Sequence, residues 1–308
     1  MFHEFDSLFS MMQVFSSENA CIDHFRAVRW PECVACPHCG SVKVYSLSNG
    51  THKCGEKECA LKFSVRYDTI FQDSKISLQK WFMAIYLITS HKKGISSCQL
   101  ARDIKITQKS AWHMLHRIRA AIEVDRSEPM TGIVEIDETY VGGKERFKHA
   151  NKRTPGTQGG GSAKTKTIVL GMIERGGDLR MDVIKAGNAE CIKPIVLANV
   201  AATAEVQTDE GRQYNWMKTH CKHSVVNHSA GEYVRGSDYT NTIEGAFGHF
   251  KCLIIGIYHH ASDKHIARYL GMFAWRWNSR KIGEGQRVNS LLKSTVGRRL
   301  TYKALVGK

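Results

Sequence analysis

The spacing of apolar residues along this chain changes three times, and each change marks a different kind of structure. Over residues 43–65 the pattern is short and alternating. Lys43-Val44-Tyr45-Ser46-Leu47 and Thr51-His52-Lys53 flank Asn49-Gly50, a pair that favours a tight hairpin turn, and Leu61-Lys62-Phe63-Ser64-Val65 alternates like a further strand. From 75 to 122 the spacing becomes helical, with Leu78, Trp81, Phe82, Ile85 and Tyr86 on one face. The stretch Ile95–Trp112 then predicts two short helices around a turn. Ser96 or Ser97 caps the first, Leu100 and Ala101 pack inward, Ile104 and Ile106 flank the turn, and Thr107 caps the second, which runs on through His116 and Arg119. Ahead of all this, residues 1–32 form a helical lead-in, with a helix starting at Ser17 or Glu18 and carrying Cys21, Ile22, Phe25 and Val28.

Strands return after residue 127. Gly132–Gly143 alternates so that Asp137 faces away from Val134 and Ile136. Further strands are predicted at Thr167–Ile173 and Leu179–Ile184, around the Gly176-Gly177-Asp178 turn. A helix follows over Ala189–Ala201, then a short buried strand, Ala204–Asp209. Thr240–Ile255 reads as a helix with Ile243, Phe247, Phe250 and Ile254 in one stripe, and Ile266–Arg280 as an aromatic-rich closing helix. This β-β-β-α-β-…-α order predicts an α/β, ribonuclease-H-like domain whose first and fourth strands meet at the centre of a mixed sheet. The expected organisation is a lead-in (1–32), a zinc ribbon (33–74), a helix-turn-helix region (75–126), the ribonuclease-H-like domain (127–283) and a basic tail (284–308).

Composition narrows the class. The 308 residues carry 44 Lys+Arg against 29 Asp+Glu, a formal charge of +15, which favours a polyanionic partner such as nucleic acid. The longest apolar run, Trp81–Ile88, is too short to span a bilayer, and Glu4 and Asp6 without an early Lys or Arg do not make a signal peptide. Of ten cysteines, four fall in metal-ligand spacing and the rest are scattered, which fits a reducing cytoplasm better than a disulfide framework.

Candidate chemistry falls into three places. Cys36-Pro37-His38-Cys39 and Cys54–Cys59 form C-x2-C and C-x4-C knuckles fourteen residues apart, the spacing of a tetrahedral structural zinc; Cys33 and His38 lie nearby as spare donors. Asp137, Asp209 and Glu244 supply three carboxylates from two strands and a helix. Hard cations such as Mg²⁺ or Mn²⁺ need such oxygens, and two ions held together clamp a reacting phosphodiester. Lys251, two turns after Glu244, shares its helix face, and Asn241 lies on the edge of that face. For DNA, Gln108, Lys109, Ser110, His113 and Arg117 lie on the second helix of the pair. Lys144, Arg146 and Lys148 begin a basic, glycine-rich loop (142–166) suited to gripping a phosphate backbone. His259, His260 and His265 are candidates for surface or core positions, or for a second metal site.

Taken together, the four cysteines, the ISSCQLARDIKITQKSAWHMLHRIR block, VEIDETYVGGKE, TDEG and TNTIEGAFGHFK…GIYHHASDKHIARYL resemble the ISXO-like insertion-sequence transposases, over about residues 20–283. The resemblance implies a Mg²⁺-dependent DDE transposase acting on the terminal inverted repeats of its own element, assembled as a dimer or larger. Asp137 and Asp209 match the first two acids. Asn241 and Glu244 both stand in the third motif, and Glu244 is the better ligand because a carboxylate binds Mg²⁺ more strongly than an amide. A nuclease or resolvase that cuts without joining, and a non-catalytic DNA-binding regulator, are the alternatives that share these parts.

Overall fold

The computed structural model describes residues 5–48, 50–122, 124, 126–143, 149–153, 165–227, 234–236 and 238–307. The chain divides into two compact units, Met1–Glu123 with Lys281–Lys308, and Val124–Arg280.

In the first unit, α1 (Leu8–Val14) and α2 (Glu18–Arg29) begin at Ser7 and Ser17, whose hydroxyls accept from the amides of Ser10 and Ala20. The strands β1 (Val44–Ser46), β2 (His52–Cys54) and β3 (Lys62–Phe63) form a three-stranded antiparallel sheet. The following helix, α3 (Leu78–Ser90), is apolar almost all round and buries Trp81, Phe82, Ile85 and Ile88. Besides Ser77, the carboxylate of Glu18 reaches from α2 to cap it, accepting from the amides of Leu78 (2.9 Å) and Gln79 (3.2 Å). Next come α4 (Ser97–Asp103) and α5 (Gln108–Ala121), capped by Ser96 and Thr107. Leu100, Ala111, Met114, Leu115 and Ile118 are buried on these two helices, and Ile104 is buried in the turn between them.

The second unit is built on a five-stranded sheet, assembled from β4 (Ile133–Val141), β5 (Thr167–Glu174), β6 (Leu179–Ile184), β7 (Glu205–Asp209) and β8 (Lys222–Val226). Their order is β6-β5-β4-β7-β8, antiparallel from β6 to β4 and parallel from β4 to β8. The first and fourth strands therefore lie side by side at the centre, as expected. The edge strand β8 was not foreseen: only its last residue is buried, so the sequence carries no alternating signal there. One face of the sheet is covered by α6 (Ala189–Asn199) and the 3-10 segment Arg212–Thr219, which pack Ile192, Val196, Tyr214 and Met217 on Val134, Ile136, Leu170 and Val206. On the other face, α7 (Asn241–Leu253) and α8 (Asp263–Asn278) pack Ile243, Phe247, Phe250 and Phe273 on Val141, Val169 and Ile173. Gly171, opposite Asp137 in the β4–β5 ladder, permits this closeness: a Cβ there would lie 2.7 Å from Ile243 and Phe247.

Residues 284–308, expected as a basic tail, instead carry α9 (Glu284–Lys293) and α10 (Tyr302–Val306) and belong to the first unit. Val288, Leu291 and Leu292 are fully buried, Asn289 meets the ring of His24 at 2.8 Å, and Asp68 and Ile70 exchange backbone hydrogen bonds with Gly297 and Thr295. The apolar face of α9 is present in the sequence, but its partners lie some two hundred residues upstream, where no local pattern points. Among the described residues no helix is long and apolar enough to cross a membrane.

Candidate active site

The four ribbon cysteines converge. Cys36 Sγ lies 3.8 Å from Cys59 Sγ and Cys39 Sγ 3.6 Å from Cys54 Sγ, and all four sulfurs fall within 4.8 Å of one another. A tetrahedron with Zn–S bonds of about 2.3 Å has edges of about 3.8 Å, so the donor set fits zinc without rearrangement. Burial pushes the Cys36 thiol up, but the amides of His38 and Cys39 and the neighbouring thiols outweigh it and bring it to about 7, while hydrogen bonding among the same thiols holds Cys54 and Cys59 up. Cys33 is exposed and outside the cluster, while the His38 ring packs 4.4 Å from Tyr67, so neither spare donor takes part.

The acids are arranged differently. Glu135 pairs with Gln207 in the parallel β4–β7 ladder, and Asp137 and Asp209 lie two residues further along the same strands, on the same face. Glu244 stands in the first turn of α7. The Asp137 carboxylate accepts from the Glu138 amide (2.7 Å), that of Asp209 from the Gly211 amide (3.0 Å), and that of Glu244 from the Thr240 hydroxyl (3.1 Å). Burial pushes Asp137 up to about 7. The Glu138 amide opposes this, and the charges of Asp209, Glu138 and Glu244 add to it. The charges of Asp209 and Glu244 thus reach Asp137, though among the described residues the three do not join a metal-ligand cluster as the thiols do. A crowd of acids that keeps a proton near neutrality is a donor set suited to a divalent cation, which would supply the missing positive charge.

Several residues of this site went unnoticed in the sequence. Glu138 projects to the α6 side, where burial raises its pKa, and Gln213 approaches both its oxygens at 3.4 Å. Tyr214, buried beneath it, is raised well above the usual phenol range by burial and by the charges of Glu138, Asp137 and Asp209. Glu135, Arg175 and Gln207 are also part of this neighbourhood. The available signal was a polar residue two positions before each aspartate, on the same strand face. Lys251 and Asn241 are exposed on α7, and Gly248 between them borders open space.

On α5, Gln108 and Lys109 are exposed and Ser110 half-buried. His113 is half-buried against Tyr302 (5.5 Å) and the carbonyl of Leu300 (3.3 Å). Arg117 is buried, donates to the Gln72 carbonyl (2.5 Å) and stacks over Trp81, so it braces the first unit rather than facing a groove. Lys144, Arg146 and Lys148 lie outside the described residues. His259 and His260 are exposed and His265 half-buried, and the three do not join a metal-ligand cluster among the described residues.

Two family models match the chain: the transposase zinc-ribbon domain over residues 16–61, and the ISXO2-like transposase domain over residues 129–278. The chain carries an ISXO2-like transposase domain behind a transposase zinc ribbon. The first match contains all four zinc-ribbon cysteines, and the second runs from just before β4 to the end of α8, so this is a DDE transposase domain with the ribonuclease-H-like fold. A Halobacterium salinarum protein, described as an uncharacterized protein in transposable element ISH50, is 29% identical over 245 residues, spanning 76% of this chain and 82% of the relative. A chain of the simian T-cell lymphotropic virus intasome in complex with PP2A regulatory subunit B56 gamma aligns over 60% of this chain and 66% of that one, at 13% identity and a TM-score of 0.27, a likeness too slight to build on.

Proposed function

We propose that this transposase binds the terminal inverted repeats of its insertion sequence and catalyses Mg²⁺-dependent DNA cleavage and strand transfer, with Asp137, Asp209 and Glu244 as the metal ligands. The observation that carries this reading is the convergence of charge at Asp137: two aspartates on adjacent central strands and a glutamate in the first turn of the helix above them. Two Mg²⁺ ions there would supply activation of the attacking hydroxyl and neutralisation of the leaving oxygen.

The chain's own residues prepare that chemistry. Asp137 and Asp209 are fixed by backbone amides on rigid strands, so their oxygens hold one geometry through the reaction. Glu244 is favoured over Asn241 as third ligand because its charge reaches Asp137, whereas an amide contributes none. Asn241, at the exposed start of the same helix, is left to hydrogen-bond a neighbour or the DNA, and Lys251 to hold a nearby phosphate as a point charge. In the first step water attacks phosphorus and the P–O3′ bond breaks, leaving a 3′-OH on the element. In the second that 3′-OH attacks a target phosphodiester and displaces its 3′ oxygen.

Recognition of the ends is assigned to the ribbon and to the α4–α5 pair acting as a helix-turn-helix, through Gln108, Lys109 and Ser110 at the start of α5. His113 has a smaller part, since a neighbouring segment half-covers it. Lys144, Arg146 and Lys148 remain candidates for sequence-independent grip. Holding both ends together calls for a dimer or larger assembly. Strand transfer on the element's end DNA, with wild-type, Asp209→Asn, Glu244→Gln and Asn241→Ala proteins, tests the assignment. Binding without joining in the Asp209 and Glu244 variants alone supports it. An active Glu244→Gln beside an inactive Asn241→Ala would move the third ligand to Asn241, and a wild type that binds but never cuts or joins would point to a regulator.

A further inference from the structure

A buried polar network ties together the three elements that carry the candidate ligands. Glu135 is fully buried, yet both its oxygens are occupied. Oε1 accepts from Arg175 Nε (2.8 Å) and the Thr242 hydroxyl (2.8 Å), and Oε2 from the amides of Thr242 (2.8 Å) and Ile243 (3.0 Å). Arg175 continues across the sheet, donating to the Gln207 side-chain oxygen and the Tyr239 carbonyl (2.9 Å), with its guanidinium 3.5 Å above the Tyr239 ring. Gln207, also fully buried, accepts from the Tyr239 amide (3.0 Å) and donates to Asp238 (2.9 Å).

The positions matter as much as the bonds. Glu135 is two residues before Asp137 on β4, Gln207 two before Asp209 on β7, and Thr242 and Ile243 immediately precede Glu244 on α7. The first turn of α7 has no side-chain cap of its own from Thr240, so the Glu135 carboxylate, coming from the central strand, satisfies its free amides. An apolar filler of the same volume would often be at least as stable as a buried ion pair. What apolar packing lacks is direction: three hydrogen bonds from the first turn of α7 to one carboxylate fix both the rotation and the height of that helix over the strand.

We infer that Glu135, with Arg175 and Gln207, is a positioning device that holds the α7 ligand in register with the two strand ligands and so sets the site's affinity for divalent cations. The inference rests on the assignment of Asp137, Asp209 and Glu244 as ligands.

The test uses the full-length, zinc-loaded protein. Mn²⁺ affinity by EPR titration, the Mg²⁺ dependence of strand transfer and the melting temperature are measured for wild type, Glu135→Gln, Arg175→Lys and Asp137→Asn. Glu135→Gln is expected to bind Mn²⁺ about 10- to 100-fold more weakly, as loss of a partner behind a metal ligand does. Half-saturating Mg²⁺ rises in step, excess Mg²⁺ restores much of the rate, and end-DNA binding is unchanged. Arg175→Lys keeps the charge but does not span Glu135, Gln207 and Tyr239 at once, so a smaller shift in the same direction is expected. Wild-type metal affinity in Glu135→Gln, whatever its melting temperature, overturns the inference. If that variant does not fold, wild-type affinity in Arg175→Lys overturns it. An Asp137→Asn protein that still joins DNA with ordinary metal dependence would instead sink the ligand assignment, a separate failure.

Discussion

The zinc ribbon and the candidate acidic site of this molecule are opposites in how they are made. The ribbon gathers four thiols from two knuckles within a 24-residue stretch, Cys36 to Cys59, and its sulfurs already stand at tetrahedral spacing. The acidic site draws Asp137, Asp209 and Glu244 from two strands and a helix spread over more than a hundred residues. Among the described residues its carboxylates do not gather into a metal-ligand cluster as the thiols do, while the charges of Asp209 and Glu244 raise the proton affinity of Asp137. Sulfur ligands that can stay protonated tolerate crowding without a cation. Ionised carboxylates repel, so the protein must hold them with outside help, here backbone amides and buried hydrogen bonds. The thiol cluster is therefore closed by local turns, and the carboxylate set is suspended in a larger scaffold.

The largest expected effect is on the ribbon. Removing zinc with a chelator, or substituting Cys54→Ser, should unfold the ribbon, since structural zinc carries on the order of 10 kcal/mol of apparent binding free energy. Zinc content and end-DNA binding fall together, while Mn²⁺ affinity stays at the wild-type value if the two sites are independent. At the acidic site, Asp137→Asn, Asp209→Asn or Glu244→Gln should each lower strand transfer by about 10³-fold or more, because positioning and charge supply most of the catalysis. Zinc content and folding should be kept.

Asp137→Asn also makes the opposite kind of prediction for stability. The folded-state pKa of about 7 lies above the ordinary 3.8. Stability from the protonated carboxyl is therefore fully present below about pH 4 and is lost as pH rises through about 7. In metal-free protein the variant should consequently melt higher than wild type at pH 8, by up to about 4 kcal/mol from the pKa difference, and equally at pH 4. Divalent cation should narrow the gap by stabilising wild type alone. Melting curves at the two pH values, with and without Mg²⁺, decide this. The smallest effect is expected from Gly171→Ala: the added methyl, 2.7 Å from Ile243 and Phe247, pushes α7 off the sheet at about 1–3 kcal/mol. A melting-temperature loss accompanied by weaker Mn²⁺ binding would show that the height of α7 matters to the site.

What could be read directly from the chain was whatever depends on near neighbours. The C-x2-C and C-x4-C knuckles, the hairpin between them, the serine and threonine that start α4 and α5, and the alternation putting Asp137 opposite Val134 and Ile136 all appear where the spacing put them. The central pairing of β4 with β7 is that of the ribonuclease-H-like fold which the element order matched. Burial and long-range pairing were another matter. Arg117 looks like a groove-facing arginine in sequence and is a buried brace in space; α9 looks like a tail and is a core helix of the first unit. Glu135 and Gln207 looked like ordinary strand polars until Arg175 and the first turn of α7 arrived beside them. Sequence by itself determined the ligand types, the turns and the strand faces, since these are set by covalent spacing and backbone geometry over a few residues. Only the tertiary structure decided which charges are buried and what holds them, because a buried charge is tolerated by virtue of partners that local spacing does not name.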